Sequence, residues 1–256
     1  MDFLHIIYLA LTGVAAGVIA SVVGGASLVT YPILIAMGMP PISATVATNV
    51  ALFPSNIVAS VAERKLLPPL NMGFVRLVVA SIVGAVIGAG LLMATPERVF
   101  KLIVPLLLGF ATLMFAYSGQ IAEWIRVRAE RRGRAIAMDV TSLKLVLPVS
   151  FYGGYFGSGV GILMLGALSV ATRGDYRNAN AAKNLIMSLN SSVAALVYIG
   201  HDAVPWPSTL ALMAGSTLGG LVGAWVARVL PRGIIRIMVI VFGVVLTLEF
   251  IYRYWL

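Results

Sequence analysis

The stretch Gly153-Gly154-Tyr155-Phe156-Gly157-Ser158-Gly159-Val160-Gly161 interrupts an apolar run with small residues. Gly17-Val18-Ile19-Ala20-Ser21-Val22-Val23-Gly24-Gly25-Ala26-Ser27 does the same in the first half of the chain. About 23 to 25 residues after each copy comes a polar segment, carrying Thr48 and Asn49 in one half and Lys183 and Asn184 in the other. Irregular backbone is tolerated at membrane depth only where it is buried in protein or lines a wet cavity. A break at Gly24-Gly25 or at Gly157-Ser158-Gly159 frees backbone N–H groups at the start of the next helix, where the dipole also favours an anion. Ser21, Ser27 and Ser158 add hydroxyl donors, and Gly161 continues the second stretch. The alternative for these glycines is close helix packing without a break.

Composition sets the solvent. Of 256 residues, 60% are hydrophobic and 11% are charged, with a mean hydropathy of +1.00. A soluble domain carries about 25% charged residues, so this chain is expected to be one integral membrane unit. The net charge of +9 is clustered between apolar segments. That is the positive-inside pattern, so no nucleic acid is expected as a partner. There is no cysteine, which removes disulfides, thiol catalysis and cysteine metal sites; the two histidines, His5 and His201, are scattered. No metal and no cofactor is expected. The start Met1-Asp2-Phe3 lacks the basic region of a signal peptide, so the first apolar segment is kept as structure.

Five apolar segments, at 3–23, 26–38, 41–62, 71–94 and 98–121, lead to the basic run Arg126–Arg134. Five more follow at 143–158, 160–171, 180–200, 206–229 and 233–254. A spanning helix needs about 20 apolar residues. The third, fourth and fifth of each set qualify, and the second of each suits a half-helix or re-entrant arm. Ser81, Gly84, Gly88, Pro96 and Lys101 match Ser216, Gly219, Gly223, Pro231 and Arg236 at a constant spacing of 135, as Asn49 matches Asn184. Duplicated halves with interrupted helices are the usual build of secondary transporters. The expected organisation is a first membrane repeat at 1–122, a basic cytoplasmic loop at 123–142 and a second repeat at 143–256.

With the central basic loop placed in the cytoplasm, each half makes an odd number of crossings, whether its first two segments span or re-enter. The second half is then inverted, and both termini lie outside the cytoplasm. This arrangement keeps Arg64, Lys65, Arg173, Arg177, Arg228 and Arg232 inside, whereas parallel halves move many of them out. The expected fold is therefore all-α. It has two inverted-topology repeats, each with three full spans and a glycine-broken pair of short or re-entrant helices, about eight to ten membrane segments in all. Small residues four apart, Gly84 with Gly88 and Gly219 with Gly223, read as helix-packing surfaces within or between the halves or at a homodimer contact. Trp124, Trp206 and Trp255 sit near segment ends and read as interfacial anchors.

The third segments carry polar stripes. Asn49 and Asn56 are seven apart, as are Thr48 and Ser55, Lys183 and Asn190, and Asn184 and Ser191. Positions seven apart share a helix face. Amides and hydroxyls with one cation select a small oxyanion over a metal ion. The competing readings are interhelical hydrogen bonding and, for Lys183, snorkelling to the surface. Lipid and a small anion are the expected partners, with a coupling proton as a further candidate, although no carboxylate is plainly at mid-depth. Nothing resembles a Walker stretch, paired catalytic carboxylates or a Ser/His/Asp arrangement, so no enzyme is expected.

The glycine stretch, the short apolar arm and Ala44-Thr45-Val46-Ala47-Thr48-Asn49 resemble the sulfite exporter TauE/SafE family, also called the toluene sulfonate uptake permeases. The second half is closer still, through Gly153–Met164 and then Arg177-Asn178-Ala179-Asn180-Ala181-Ala182-Lys183-Asn184. The first copy departs from the family at Val22-Val23-Gly24-Gly25-Ala26, where a run of three glycines is common. The resemblance implies a multi-pass permease of the inner (plasma) membrane for sulfite, a sulfonate such as sulfoacetate, or a related organosulfur anion. An anion channel of the same architecture and a non-transporting scaffold are the alternatives.

Overall fold

In a computed structural model, residues 3–22, 26–67, 71–131, 140–171, 176–226 and 232–255 are described. They form helices joined by short turns, with no strand among them. The first five helices are α1 (Phe3–Val22), α2 (Ala26–Ala36), α3 (Pro41–Ala62), α4 (Met72–Ala94) and α5 (Glu97–Ala116), with a short 3-10 turn at Arg64–Leu66. Then come α6 (Ser118–Arg131), α7 (Val140–Tyr155), α8 (Val160–Ala171), α9 (Tyr176–Gly200), α10 (Trp206–Val226) and α11 (Arg232–Trp255).

Local chemistry sets several ends. Gly38, at φ 85°, turns the chain out of α2, and Pro41 opens α3, where its missing N–H costs nothing. The Asn71 side chain caps α4 by accepting from the Phe74 N–H at 2.8 Å. The basic run expected as a loop is helical as far as Arg131, because Gln120–Arg131 is rich in Ala, Glu and Arg, which favour helix.

Among the described residues, Met72–Ala94, Glu97–Ala116 and Ile237–Trp255 are long and apolar enough to cross a membrane. Their outward side chains, including Val79, Ile87, Leu106, Val241 and Leu248, are exposed in the isolated chain. Such a belt is a surface for lipid. The helices α3, α9 and α10 have 22, 25 and 21 residues, a comparable length, but α3 and α9 carry polar groups that face each other. By contrast α2 has 11 residues and α8 has 12, roughly 17 and 18 Å at the α-helical rise. Neither crosses alone.

Packing exchanges the halves. α1 lies along α10, and α4 lies along α7; α3 packs on α9 and α5 on α11. Glycine makes the first two contacts close. A Cβ on Gly84 would lie 2.7 Å from the Leu147 carbonyl oxygen, and one on Gly88 would overlap the Phe151 carbonyl. At the other contact, Gly13 and Gly17 face the backbone of α10 at Leu212–Gly220, while Gly215 and Gly219 face Ala10 and Val14. Thus the small residues of the fourth segments join one half to the other within a single chain. The buried core contains an aromatic cluster. Tyr31 meets Phe156 edge-on at 5.1 Å and Phe250 at 6.4 Å, and Phe100 packs beside Tyr155.

Candidate functional site

The α3–α9 contact is a polar seam. Asn49 Nδ2 donates to the Tyr198 hydroxyl at 3.4 Å, and Asn56 Nδ2 donates to Ser191 Oγ at 3.0 Å. At the end of α3, Asn184 Nδ2 donates to Glu63 Oε2 at 2.8 Å. Each step runs seven residues forward on α3 and seven back on α9, so the two helices are antiparallel along the seam. Two helical turns rise about 10 Å, so the seam is roughly 20 Å long. The Tyr198 hydroxyl in turn donates to the Gly154 carbonyl.

The second glycine stretch is a true break. α7 ends at Tyr155 and α8 begins at Val160, with Gly157 at φ 80° and Gly159 at φ 75°. This left-handed backbone is cheap only for glycine. Gly157 also lies against Asn49, whose Oδ1 would overlap any Cβ there. An amide of the first half is thereby seated on the break of the second. The Tyr152 hydroxyl donates to the Ser158 carbonyl at 2.8 Å, and Ser158 Oγ reaches the Ser27 carbonyl at 3.4 Å. Ser27 belongs to the first turn of α2, so the two small-residue stretches meet at this contact. Gly24, Gly25 and the side chain of Ser21 lie outside the described residues.

The remaining residues of the sequence stripes divide. Thr48 is buried and its Oγ1 has no hydrogen-bond partner, a costly state for a hydroxyl unless something else satisfies it. Asn190, 2% exposed, turns away from α3 and donates to the Ser150 carbonyl at 3.1 Å. Gly161 sits on α8 with open space where a side chain would go. Lys183, half-buried, donates from Nζ to Asn180 Oδ1 at 2.9 Å. Asn180 Nδ2 donates to both Glu63 oxygens, at 2.8 and 2.9 Å.

Sequence reasoning missed Glu63, Asn180 and Tyr198. The signal for two of them was present: Glu63 is seven residues beyond Asn56, and Tyr198 is seven beyond Ser191. The arrangement as a whole offers amides and hydroxyls near a helix break, and amides with one ammonium group at the other end of the seam. Those are ligands for an oxyanion. Among the described residues no group of three His, Asp or Glu side chains stands together to hold a metal ion.

Proteins of similar sequence carry transporter names. A probable membrane transporter protein of Haemophilus influenzae is 26% identical over 98% of this chain and 96% of its own length. The probable membrane transporter protein ORF9 of Sinorhizobium sp is 31% identical over 91% of this chain and 87% of its own length. The probable membrane transporter protein YfcA of Escherichia coli K12 is 25% identical, covering 93% and 86%. No solved structure matches the chain. The family model described as sulfite exporter TauE/SafE matches residues 9–250. On that match, across nearly its full length, the chain belongs to the TauE/SafE family of membrane transporters.

Proposed function

We propose that this chain is a secondary transporter that carries a small sulfur-containing oxyanion, such as sulfite or a sulfonate, across the plasma membrane by alternating access. One observation carries the reading: Asn49 of the first half rests on the Gly157 break of the second and bonds to Tyr198. A ligand held at such a junction touches both halves, so a rocking movement of one against the other changes which side reaches it. The unpartnered Thr48 hydroxyl beside Asn49 supplies a further donor. Asn49, Thr48, Asn56, Ser191, Asn184 and Lys183 are proposed to contact the anion in turn along the seam, with Gly157, Ser158 and Gly159 framing its Asn49 end. Asn190 acts as a structural neighbour of this group.

The inverted relation of the halves belongs to the same proposal. It is supported by the antiparallel α3–α9 seam and by the exchanged contacts, in which the first helix of each half lies along the fourth of the other. The sulfur chemistry of the substrate is supported by the family's description.

Flux measurements in proteoliposomes test the reading. A transporter loaded with unlabelled sulfite takes up labelled sulfite by counterflow and saturates at low turnover. Conduction that does not saturate and shows no counterflow replaces it with a channel. A purified protein that binds and moves no small oxyanion is a scaffold.

A further inference from the structure

We propose that the Glu63 carboxylate occupies an oxyanion position on α9 as a tethered competitor, so that a substrate anion enters this end of the seam by displacing it. The inference rests on the transporter reading above and adds the means by which part of its site is held shut. Glu63 accepts three hydrogen bonds, two from Asn180 Nδ2 and one from Asn184 Nδ2, at 2.8 to 2.9 Å. Lys183 Nζ bonds to Asn180 Oδ1 and so fixes the face that this amide turns to the carboxylate. Two amide donors oriented by a cation are what a free oxyanion needs, and a carboxylate is itself a small oxyanion on a stem.

The matching position at the other end of the seam shows that a charge is not required to join the helices. There Asn49, the counterpart of Asn184, meets Tyr198, the counterpart of Glu63, and a neutral hydroxyl makes the contact. A carboxylate at one end only, where a neutral hydroxyl serves at the other, calls for a use. Glu63 is also free to leave. It lies one residue beyond α3, makes no side-chain capping bond to the 3-10 turn that follows, and precedes the exposed residues Arg64 to Leu66. Among the described residues no ion pair joins it directly to Lys183. The carboxylate can swing away with its own turn while α3 stays wound.

The test is anion binding to the full-length protein in detergent, with sulfite, sulfate and methanesulfonate as probes, by calorimetry. Glu63→Gln keeps the size and removes the charge. It is expected to bind the best probe about tenfold more tightly, the scale of one charged hydrogen bond released. Asn184→Ala added to Glu63→Gln is expected to cancel that gain. Equal or weaker binding by a Glu63→Gln protein that melts like wild type overturns the competitor and leaves the transporter reading standing. No binding by either protein overturns both. If Glu63→Gln does not elute as a single species, Glu63→Asp serves, since one methylene less withdraws the carboxylate from α9; unchanged affinity there overturns the inference equally.

Discussion

Asn56 Nδ2 donates to Ser191 Oγ at 3.0 Å, and the two residues stand 135 positions apart, the interval that separates the two copies in sequence. A bond between positions matched in the two copies is what the proposed exchange of the halves predicts at its axis. The pair therefore marks the centre of the seam, with Asn49–Tyr198 on one side and Asn184–Glu63 on the other. The chain has no cysteine, so a double variant Asn56→Cys with Ser191→Cys is a clean probe. Oxidation or a short bismaleimide is expected to join the helices and stop the sulfite counterflow that the reduced double variant retains, with return to that level on reduction of the disulfide. Undiminished counterflow after complete cross-linking would show that the seam stays fixed during transport.

Asn49→Ala is expected to weaken anion binding by about 1–3 kcal/mol, the cost of losing a hydrogen bond to a charged group. Asn184→Ala alone is expected to lose less, because its amide is committed to Glu63. Calorimetry on both proteins, each eluting normally, measures the difference. Wild-type affinity in Asn49→Ala would make this amide interhelical glue.

Much of this seam was legible from spacing. The seven-residue intervals at Asn49–Asn56 and Asn184–Ser191 read correctly because both pairs lie on the facing sides of α3 and α9. The neighbouring stripe, Lys183 with Asn190, is turned by one residue, about 100° around the helix. That rotation sends the Asn190 amide to the Ser150 carbonyl on α7 instead of to α3. Periodicity alone did not say which of two adjacent stripes faced the partner. Glu63 continues the seven-residue spacing of Asn49 and Asn56, but it lies past the end of α3, where an acidic residue reads as surface. The reach of Asn180 and Asn184 from α9 fixes its place.

Two glycines on one helix should respond in opposite ways. Gly88→Ala brings a methyl group onto the Phe151 carbonyl, with Tyr155 N 2.9 Å away. Overpacking of this kind costs about 1–3 kcal/mol. Gly90, two residues on, has open space at its Cβ position. There Gly90→Ala is expected to be neutral or to stabilise by up to about 1 kcal/mol through helix propensity. Melting of the two proteins in one detergent checks the sign. A Gly88→Ala protein as stable as wild type would mean that α4 and α7 are not held at this distance.

Both termini are expected outside the cytoplasm. A reporter active only in the cytoplasm should be silent when fused after Leu256 and active when inserted at Gly133, within the basic stretch. The same signal at both positions would put them on one side of the membrane and remove the inverted relation of the halves, and with it the alternating-access proposal; the opposite pattern would reverse the orientation alone.

The exchange of α1 onto α10 and of α4 onto α7 has a consequence for biosynthesis. At about 5–20 residues per second of translation, α1 waits on the order of ten to forty seconds before α10 emerges. During that wait the glycine faces at Gly13 and Gly17 have only lipid or a chaperone to meet. Residues 1–131 therefore cannot mature as an independent unit, and an early stop codon should leave a fragment for quality-control proteolysis instead of a half-sized permease. Coexpression of the two halves as separate chains is the arrangement in which each becomes the other's folding template.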